Sequence, residues 1–465
     1  SSLDLWSETM NLDVIILGAG KGTRMNSSKA KVLHSLGEKA LISHVVDSSR
    51  GLDADNIVTV LGYQGDAVRK VLPEGILIAV QEQQLGTGHA VAEALGQLNS
   101  SEGMVLVLLG DVPLVTLETL QKLLNESQGY SVSVLTAIVS DPGGLGRIIR
   151  DENGELRKIV EAADATDKEL DIQEINSGIM AIRKDDLIGW LPKLDPANNQ
   201  GELYLTDIVE LALKESLKVK AVVCDDPEEV MGINSQFELA RAERILQKRR
   251  VKDLATQGAR VADLDRLDIR GEVQIGKDCF IDVNVVLEGN VKLGDGVTIG
   301  PGSVVIDSIL GSGVKIHAHT VVEGAEIAAD SQLGPFARVR PGTIVGVGAK
   351  IGNFVETKKA HIGPGSKASH LAYLGDTDIG ADCNIGAGTV TCNYDGVSKN
   401  ETKIGDNVFI GTNSTLVAPL VIDSEAFVAA GSTITTDVSD GALAVGRAKQ
   451  KNIDGWVPPS KRKQR

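Results

Sequence analysis

One group of residues near the N-terminus combines glycines with basic side chains in a pattern that could bind phosphate. The apolar run DVIIL leads into Gly18-Ala19-Gly20, then Lys-Gly-Thr and Arg24, and Lys31 follows a short distance beyond. Glycines let backbone N–H groups approach phosphate oxygens, and the two basic side chains add positive charge there. The segment therefore predicts a phosphate-binding loop, with a strand-to-helix turn that binds no ligand as the open alternative.

A second group lies in the C-terminal half and centres on His370. The segment 366–376 reads SKASHLAYLGD, and the segment 384–396 reads NIGAGTVTCNYDG. A neutral imidazole can take a proton from an amine during acyl transfer. A lone loop histidine is more often a surface or packing residue, but the polar neighbours Lys367 and Tyr373 favour a general base here.

Cys392 lies in the second of these segments and offers a different acyl-transfer chemistry. A thiolate can accept an acyl group as a covalent intermediate. We expect direct transfer instead, because His370 can activate the amine itself. The other histidines of this half, His317, His319 and His361, lack comparable polar surroundings and are expected to be structural.

The composition limits the function classes. The chain has 465 residues, which favours two or more domains, and its 51 glycines with only 3% aromatic residues suit repeated tight turns. A net charge of −16 argues against nucleic-acid or anionic-membrane binding as the main function. With neither a membrane-spanning run nor a secretory signal pattern, we expect a cytoplasmic protein; its cysteines suggest neither a zinc site nor a disulfide framework.

The periodicity predicts two domains of different architecture. Strand-like runs alternate with helical patterns over residues 10–235, which predicts an α/β domain with a mainly parallel sheet. A charge-rich linker helix is expected at 236–258. Over 259–446 apolar residues return every sixth position, which predicts a β-solenoid, and the tail is 447–465. Breaks in the six-residue pattern at 368–378 and 393–403 predict two loops projecting from one edge.

A series of motifs resembles the sugar-1-phosphate nucleotidylyltransferases in order and spacing: GAGKGTRM, KVL, QLGTGHA at 84–90, GDVP at 110–113, GRI at 146–148, IVE at 159–161 and EINSGI at 174–179. The resemblance implies a Rossmann-like nucleotidyltransferase domain and in-line attack of a sugar phosphate on UTP, with Mg²⁺, Arg24 and Lys31 neutralising charge. The resemblance implies that Asp111 and Asn234 bind Mg²⁺ and that Gln81, Gly86 and Thr87 bind the uridine. It implies that Gly146, Glu161 and Asn176 bind the sugar. The other residues that it places at the nucleotide and sugar site are Leu17, Gly18, Ala19, Gly20, Leu109 and Gly110.

Three points qualify these assignments. Ala30 stands where the nucleotidylyltransferases usually have proline, and Leu109 stands where close relatives often have tyrosine. Neither change removes a charged group. For Asp111 the open alternative is a strand-end aspartate that caps the turn after it.

Motifs in the C-terminal half narrow the resemblance. RPG at 340–342, NFVETKKA at 353–360 and the two segments around His370 resemble the bifunctional bacterial N-acetylglucosamine-1-phosphate uridylyltransferase/glucosamine-1-phosphate acetyltransferases, and the likeness extends from about residue 10 to 456. The resemblance implies a left-handed parallel β-helix with His370 as the base. It implies that Arg340 and Lys358 bind the phosphate of the acceptor and that four residues surround its sugar: Tyr373, Asn384, Asn393 and Tyr394. The residues implied to contact acetyl-CoA are Ala387, Asn393, Tyr394, Thr412, Ala430 and Arg447.

The resulting hypothesis is a bifunctional enzyme of UDP-N-acetylglucosamine synthesis. It acetylates glucosamine 1-phosphate with acetyl-CoA, then transfers a uridylyl group from UTP to N-acetylglucosamine 1-phosphate and releases pyrophosphate. Mg²⁺ is the expected cofactor, and the resemblance implies a homotrimer. From the net charge we expect neither nucleic acid nor a membrane as a partner. The alternatives are a single-activity nucleotidylyltransferase with a structural or regulatory β-helix, and a noncatalytic scaffold.

Overall fold

The structure is a computed structural model that describes residues 11–462. The predicted start of the first domain at residue 10, and residues 463–465 of the predicted tail, lie outside the described residues. The chain forms two compact units that divide between Leu246 and Gln247. Within the described residues, no helix has both the length and the apolar character needed to cross a membrane.

The first unit is built on an α/β sheet whose central strands are parallel. Its strands are β1 (Leu12–Leu17), β2 (Ser35–Leu36), β3 (Lys39–Ala40), β4 (Asn56–Leu61), β5 (Leu77–Val80), β6 (Met104–Leu109), β7 (Val132–Ile138), β8 (Arg147–Arg150), β9 (Leu156–Val160), β10 (Glu174–Arg183) and β11 (Val219–Val223). The main sheet has the order β11-β7-β10-β6-β1-β4-β5, with β8 paired to β10 and β9 to β8, while β2 and β3 form a separate hairpin. β10 runs antiparallel to β6 and β7, and β1 is parallel to β4 and β6.

Helices connect these strands, as the alternating pattern predicts. They are α1 (Leu41–Arg50), α2 (Gly65–Arg69), α3 (Thr87–Leu95), α4 (Leu117–Glu126), α5 (Asp167–Leu170), α6 (Lys184–Trp190) and α7 (Ile208–Lys214), with short 3-10 turns at Thr23–Met25, Lys31–Leu33, Leu191–Lys193, Leu205–Asp207 and Pro227–Val230. The run from Met104 to Leu108 in β6 is buried on both faces, as expected for a parallel strand covered on each side. α8 (Gln236–Thr256) contains the division between the two units, and α9 (Pro459–Arg462) lies near the C-terminus.

A buried ion pair lies inside the first unit. Lys184 Nζ donates a hydrogen bond to Asp13 Oδ2 at 2.5 Å, both side chains are 2% exposed, and Asn56 Nδ2 donates to the other carboxylate oxygen at 2.7 Å. Removing one partner of such a pair leaves an uncompensated charge in a medium that solvates it poorly.

We expect Lys184→Met to lower the free energy of unfolding of the first unit by about 3–5 kcal/mol, which lowers its Tm by roughly 10 °C. The fluorescence of the buried Trp190 during thermal unfolding reports this transition. In the control, Asp13→Asn combined with Lys184→Met removes both charges and recovers most of the loss. A single variant as stable as the wild type contradicts the role of the pair.

The second unit is a parallel β-helix. One sheet contains β12 (Arg260–Val261), β14 (Phe280–Ile281), β16 (Thr298–Ile299), β19 (Lys315–Ile316), β22 (Gln332–Leu333), β25 (Lys350–Asn353), β27 (Lys367–His370), β29 (Asn384–Ile385), β32 (Phe409–Ile410), β35 (Phe427–Val428) and β37 (Leu443–Ala444). The other contains β13 (Leu267–Ile275), β15 (Val285–Leu293), β17 (Val304–Ile306), β18 (Ile309–Leu310), β20 (Val321–Glu323), β21 (Glu326–Ile327), β23 (Arg338–Val339), β24 (Ile344–Val345), β26 (Glu356–Ile362), β28 (Tyr373–Ile379), β30 (Val390–Cys392), β31 (Thr402–Ile404), β33 (Thr415–Val417), β34 (Leu420–Ile422) and β36 (Thr433–Ile434).

The six-residue period sets the coil length. Phe280 pairs with Thr298 of the next coil, and Thr298 pairs in turn with Lys315 of the coil after it, so that three hexads make one coil. The apolar residue of each hexad points inward and stacks on its equivalents, giving one continuous core from Val251 to Val438. The predicted β-solenoid is therefore confirmed.

The loop predicted at 368–378 is wrong. This segment continues the solenoid as β27 and β28, and Lys367 pairs in register with Asn384 of the next coil. Ala368 and Leu374 occupy inward positions and are 1% and 0% exposed, and Thr357 of the preceding coil is also fully buried. The apolar pattern is weak here because a small residue and a hydroxyl-bearing residue take inward positions that elsewhere hold isoleucine or valine.

The second predicted break is a loop. It connects β30 to β31 and carries an antiparallel bridge between Tyr394 and Lys399. It also lengthens its coil, so that Asn384 pairs with Phe409 across a longer stretch of chain than separates Lys367 from Asn384. The extra residues stand outside the regular coil, where they are free to carry functional side chains.

Candidate functional site

A cavity of about 270 Å³ opens in the first unit at the carboxyl ends of β1, β5 and β6. Ligands of open α/β sheets bind at this edge, because the loops after the parallel strands converge there. The sequence prediction named ten of its lining residues: Leu17, Gly18, Ala19, Gly20, Lys31, Gln81, Gly86, Thr87, Leu109 and Asp111. Val32, Gln84, Ala90 and Glu202 also line it and were not predicted as site residues.

Lys31 lies between the two residues that were predicted to hold the metal. Its Nζ donates to Asp111 Oδ2 in a short ion pair and to Asn234 Oδ1 at 3.0 Å. Asp111 follows β6, whereas Asn234 comes from a segment far beyond it in the chain, so only the tertiary fold brings them together. The carboxylate of Asp111 is thus used in a charge cluster rather than as a cap for the turn after β6.

These two oxygen ligands fit a magnesium ion. Carboxylate and amide oxygens are the donors that Mg²⁺ prefers, and it commonly takes only one or two from the protein, with water and phosphate completing the shell. The cation already bound by both oxygens is the Lys31 ammonium, which shows that the two donors converge on one positive charge. Within residues 11–462, no group of three histidine, cysteine or acidic side chains could hold a metal.

The QLGTGHA segment forms one wall of the cavity and depends on a glycine. Gly86 has φ +109°, and a Cβ there would lie 2.6 Å from the carbonyl oxygen of Leu203. Gly88 N–H donates to this same carbonyl at 2.8 Å, and Leu205 N–H donates to Thr87 Oγ1 at 3.0 Å. The close packing of this segment on the 203–205 chain positions the neighbouring Glu202 at the cavity, although Glu202 belongs to no motif.

The three predicted sugar contacts lie together beside β10. Asn176 N–H donates to the carbonyl of Gly146 at 2.9 Å, and a Cβ on Gly146 would lie 3.3 Å from the Glu161 carboxylate. Burial raises the pKa of Glu161, and the carboxylates of Asp207, Asp164 and Glu202 add to the shift, against a hydrogen bond from Thr206. Gly146, Glu161 and Asn176 do not line the 270 Å³ cavity, but Glu202, whose charge helps to raise the pKa of Glu161, does line it.

Besides the sugar contacts, three predicted residues do not line the cavity: Arg24, Gly110 and Asn234, of which Asn234 contacts the cavity residue Lys31. Arg24 is exposed on the Thr23–Met25 turn, so its contact with phosphate stays a prediction. Gly110 has a structural hydrogen bond, from its N–H to the carbonyl of Leu17 at 2.9 Å. Of the residues that sequence reasoning missed, Gln84 begins the QLGTGHA motif and donates to the carbonyl of Ala19 at 2.6 Å, so its place in the motif was the available signal.

The two sequence departures have structural counterparts. Ala30 has φ −56°, an angle that proline also adopts, but its N–H donates to Gln64 Oε1 at 2.8 Å, which a proline could not do. Leu109 packs against Gly178, where a Cβ would lie 2.6 Å from its Cδ1. Ala30 therefore lacks the rigid ring of a proline but donates a hydrogen bond that a proline could not. Leu109 contributes apolar surface to the cavity.

In the second unit, the register aligns His370 with three of the predicted acetyl-CoA residues. Continuing the pairing of Ala368 with Ile385 along both strands places Ala387 beside His370 on the next coil. The same continuation places Thr412 beside Ala387, and Ala430 beside Thr412. Asn413 N–H donates to the carbonyl of Ala387, and Gly431 N–H to that of Thr412, each at 2.7 Å. His370 is exposed at one end of this column.

Arg447 extends the column. Its Nη1 donates to the carbonyl of Ala430 at 2.6 Å, which holds the guanidinium at the end of the line formed by Ala387, Thr412 and Ala430. Residues from successive coils, distant in the chain, thus form one edge of the β-helix. A long, extended ligand with an anionic end would match this arrangement.

The predicted phosphate-binding residues form a cluster of positive charge. Arg340 N–H bonds to the carbonyl of Thr357, so Arg340 and Lys358 occupy equivalent places on adjacent coils. Lys399 of the 393–401 loop lies beside Lys358 and lowers its pKa, and Arg340 shifts it in the same direction. Clustered cations oppose protonation, and a bound phosphate would relieve the repulsion. Lys399 was not predicted, because its loop has no periodic pattern.

The polar groups of Tyr373 and Asn393 lie close together beside the backbone of Gly375. Asn393 Nδ2 donates to Asp376 Oδ2 at 2.5 Å and lies 3.4 Å from Tyr373 Oη. A Cβ on Gly375 would lie 2.4 Å from Tyr373 Oη and 2.8 Å from Asn393 Nδ2. The missing side chain of Gly375 is therefore what allows the two polar groups to come together. Asn384 is exposed on β29, and Tyr394 is 61% exposed with its hydroxyl bonded to the carbonyl of Gly396.

Comparison with known proteins gives the same division of the chain. Residues 14–152 match the MobA-like NTP transferase domain, residues 269–371 match the GMPPB C-terminal domain, and residues 401–436 match the hexapeptide repeat of succinyl-transferase. The chain is 49% identical over 451 residues to the bifunctional protein GlmU of Marinobacter nauticus, with 97% of this chain and 99% of the relative covered. It is 49% identical over 456 residues to that of Stenotrophomonas maltophilia, with 98% and 100% covered.

The chain belongs to the GlmU family. The resemblance drawn from its motifs is thereby confirmed, and so is the pairing of a nucleotidyltransferase domain with a hexapeptide-repeat β-helix. The individual site residues stay predictions that rest on the motifs and on the geometry above.

Cys392 has an ordinary structural place in this GlmU-family chain. It ends β30, is partly buried, and its carbonyl accepts from Ala418 N–H at 3.1 Å. The register places it two coils beyond Lys358 and next to Gly375. It therefore lies near the polar cluster of Tyr373 and Asn393, and an acyl-cysteine intermediate stays the alternative that experiment must exclude.

Proposed function

We propose that the chain makes UDP-N-acetylglucosamine in two steps at two separate sites. Residues 10–235 carry the uridylyltransferase and residues 259–446 carry the acetyltransferase, with 236–258 as the linker. The acetyl step uses glucosamine 1-phosphate and acetyl-CoA. The uridylyl step uses N-acetylglucosamine 1-phosphate and UTP, and releases pyrophosphate.

Uridylyl transfer needs alignment and charge neutralisation rather than a general base. The sugar phosphate is already an anionic nucleophile, so an oxygen of it attacks the α-phosphorus in line and pyrophosphate leaves. Lys31 supplies fixed positive charge at the cavity, with Arg24 on the adjacent turn. Asp111 and Asn234 would hold Mg²⁺, and the ion would supply charge neutralisation of the phosphates. Lys31, which lies against both oxygens, would contact a phosphate bound beside them.

Acetyl transfer needs a base, because the amino group of the sugar must lose a proton as it attacks the thioester. His370 accepts that proton, the new amide bond forms as the C–S bond breaks, and the CoA sulfur leaves. The cluster of Arg340, Lys358 and Lys399 binds the phosphate of the acceptor. The column that begins at Ala387 lies beside His370 and takes acetyl-CoA, so the thioester and the amine meet at the imidazole.

The observation that carries the proposal is the alignment of His370 with this column on successive coils. It favours a bifunctional enzyme over a nucleotidylyltransferase with a passive β-helix, since a passive β-helix needs neither an exposed histidine in line with these residues nor a cluster of three cations.

Omitting one substrate at a time separates the alternatives. The enzyme is incubated with glucosamine 1-phosphate, acetyl-CoA, UTP and Mg²⁺, and free thiol and pyrophosphate are followed. We expect thiol release without UTP, and pyrophosphate release only when the acetylated sugar is present. Pyrophosphate without thiol would indicate a single-activity enzyme, and neither product would indicate a scaffold.

Gly375→Ala is expected to raise the KM for glucosamine 1-phosphate about tenfold, because the new methyl group displaces Tyr373 Oη and Asn393 Nδ2. Initial rates of thiol release at varied acceptor concentration measure the change. Pyrophosphate release by the same preparation is the internal control and stays at the wild-type rate. An unchanged acceptor KM would mean that these two side chains do not bind the acceptor.

We propose that the active form is a homotrimer. The β-helix exposes a column of apolar corner residues, in which His319 stacks on Phe336 with ring centroids 5.1 Å apart and Phe336 on Phe354 at 5.5 Å. Phe336, Phe354 and Leu371 are 48%, 58% and 60% exposed, which is unusual for large apolar side chains on a free surface. Sedimentation at assay concentration should give a trimer; a monomer with full acetyltransferase activity would contradict this.

A further inference from the structure

A histidine outside the cavity lining of the first unit contacts a glutamine in the cavity wall. Gln81 lines the cavity and is 4% exposed. Its Nε2 donates to the carbonyl of Gly86 at 3.1 Å and lies 3.0 Å from Nδ1 of His89. The opposite ring nitrogen of His89, Nε2, lies 3.1 Å from Oε1 of Glu93, one helical turn further along α3. The three side chains form a continuous chain of hydrogen bonds.

The donors and acceptors in this chain allow one arrangement. A primary amide has two N–H groups, and both are used, one on the Gly86 carbonyl and one on His89. The reversed amide would place Gln81 Oε1 against the carbonyl oxygen of Gly86, two acceptors with no proton between them. The preferred orientation requires Nδ1 of His89 to accept, so its proton is on Nε2, where the Glu93 carboxylate stabilises it. Among the described residues, Gln81 Oε1 has no hydrogen-bond partner.

We propose that His89 and Glu93 are positioning residues that hold the Gln81 amide with its oxygen, rather than its NH₂ group, available to the nucleobase. A hydrogen-bond acceptor at this place favours uracil, because the N3 atom of uracil carries a hydrogen and can donate. It disfavours cytosine, because the N3 atom of cytosine is itself an acceptor. The inference rests on the proposed uridylyl transfer and adds the cause of its base selectivity.

The location of His89 supports a positioning role. Its side chain is 22% exposed, and it lines a polar surface depression with Val80, Glu82, Gln83 and Glu93, whereas it does not line the cavity that Gln81 lines. Glu93 is 44% exposed. A residue at this place can be changed with little loss of apolar packing, so effects on selectivity can be separated from effects on folding.

The test compares UTP with CTP as nucleotide substrates. In His89→Leu the Gln81 amide keeps only its hydrogen bond to the Gly86 carbonyl and is held less firmly. We expect the ratio of kcat/KM for UTP to that for CTP to fall about tenfold, through a raised KM for UTP. The kcat at saturating UTP and the acetyl transfer rate stay near wild type. Glu93→Leu, on the exposed helix face, should give a smaller change in the same direction. The matched control is Glu82→Gln, an acidic residue of the same depression, which leaves the ratio unchanged.

A double-mutant cycle tests whether His89 acts through Gln81. Replacing His89 in a Gln81→Ala background should have no further effect on the UTP to CTP ratio, because no amide is left to orient. An equal loss in both backgrounds, or an unchanged ratio in the His89→Leu and Glu93→Leu variants, overturns the inference. A wild-type enzyme that transfers no uridylyl group would instead overturn the proposed function, so the two failures are distinguishable.

Discussion

Replacing His370 with alanine is expected to lower the rate of acetyl transfer about 1,000-fold while leaving uridylyl transfer unchanged. The imidazole is exposed and in line with the column of Ala387, Thr412 and Ala430 on successive coils. Without it, the amine must lose its proton to water as it attacks, and the barrier rises. Release of free thiol from acetyl-CoA measures the loss.

The pH profile adds a second readout for this variant. If acetyl transfer uses a side-chain base, the wild-type rate should rise with pH, since only the unprotonated form of a base accepts a proton. The rate of the His370→Ala variant should lack this rise. A residual rate that keeps the same pH dependence would mean that another group is the base.

Two controls accompany the variant. His361 lies in the same β-helix, and its Nδ1 is 2.7 Å from Asp378 Oδ1 on the surface, so His361→Ala should retain the wild-type rate. Cys392→Ala should also retain it. If Cys392→Ala instead abolished transfer, and labelled acetyl groups accumulated on Cys392 of the wild type, then direct transfer would be wrong.

Replacing Asp111 with alanine is expected to lower uridylyl transfer at least about 1,000-fold, with acetyl transfer unchanged. The variant loses a metal-binding oxygen and also the anion that holds Lys31 in place. Two groups that stabilise the phosphates are thus disturbed by one substitution. Pyrophosphate release at saturating UTP and N-acetylglucosamine 1-phosphate measures the loss.

A magnesium titration separates the two effects. Asp111→Asn keeps one oxygen ligand but loses the charge, so we expect an intermediate rate that rises further with added Mg²⁺. The control is Asp225→Ala, whose carboxylate is 85% exposed and pairs with Lys122 on the surface, and which should keep full activity. Wild-type turnover of Asp111→Ala in saturating UTP and Mg²⁺ would contradict the metal role.

Together, the variants at His370 and Asp111 should each remove one activity and spare the other. That result would place the two reactions at separate sites in one chain. Loss of both activities in either variant would indicate a folding defect or a dependence of one site on the other, and the unfolding transition reported by Trp190 would identify a defect in the first unit.

The division of the chain could be predicted from the sequence, because burial imposes a period on residue types. A parallel sheet alternates with helices, and its strands read as buried apolar runs; a β-helix coil returns its inward residue every sixth position. The motifs then indicated the family and most of the cavity wall, since the segments from Leu17 to Gly20 and from Gly86 to Thr87 are each local in the sequence, and Gly86 has a backbone conformation that favours glycine. Their types and spacing are visible before any folding.

The same periodic reasoning failed where inward residues changed type. Ala368 occupies a core position within the predicted break, and Thr357 occupies one on the coil before it. Both interrupt the apolar pattern because neither is a large apolar residue. Inward positions were recognised in the sequence by hydrophobicity. The narrow interior of the β-helix requires instead that an inward side chain fit the available volume and that any buried hydroxyl group form a hydrogen bond. Thr357 Oγ1 meets that requirement by a hydrogen bond with Thr343 Oγ1 at 3.1 Å.

What the sequence by itself determined is therefore the two architectures, the family and the residue types available for chemistry. Only the tertiary structure decided how these residues combine: Lys31 between Asp111 and Asn234, Lys399 beside Lys358, and His89 against Gln81. The physical reason is that periodicity and motifs record what each residue's own segment must bury or bind. A hydrogen bond or ion pair between distant segments depends on where packing brings them, and no local pattern carries that information.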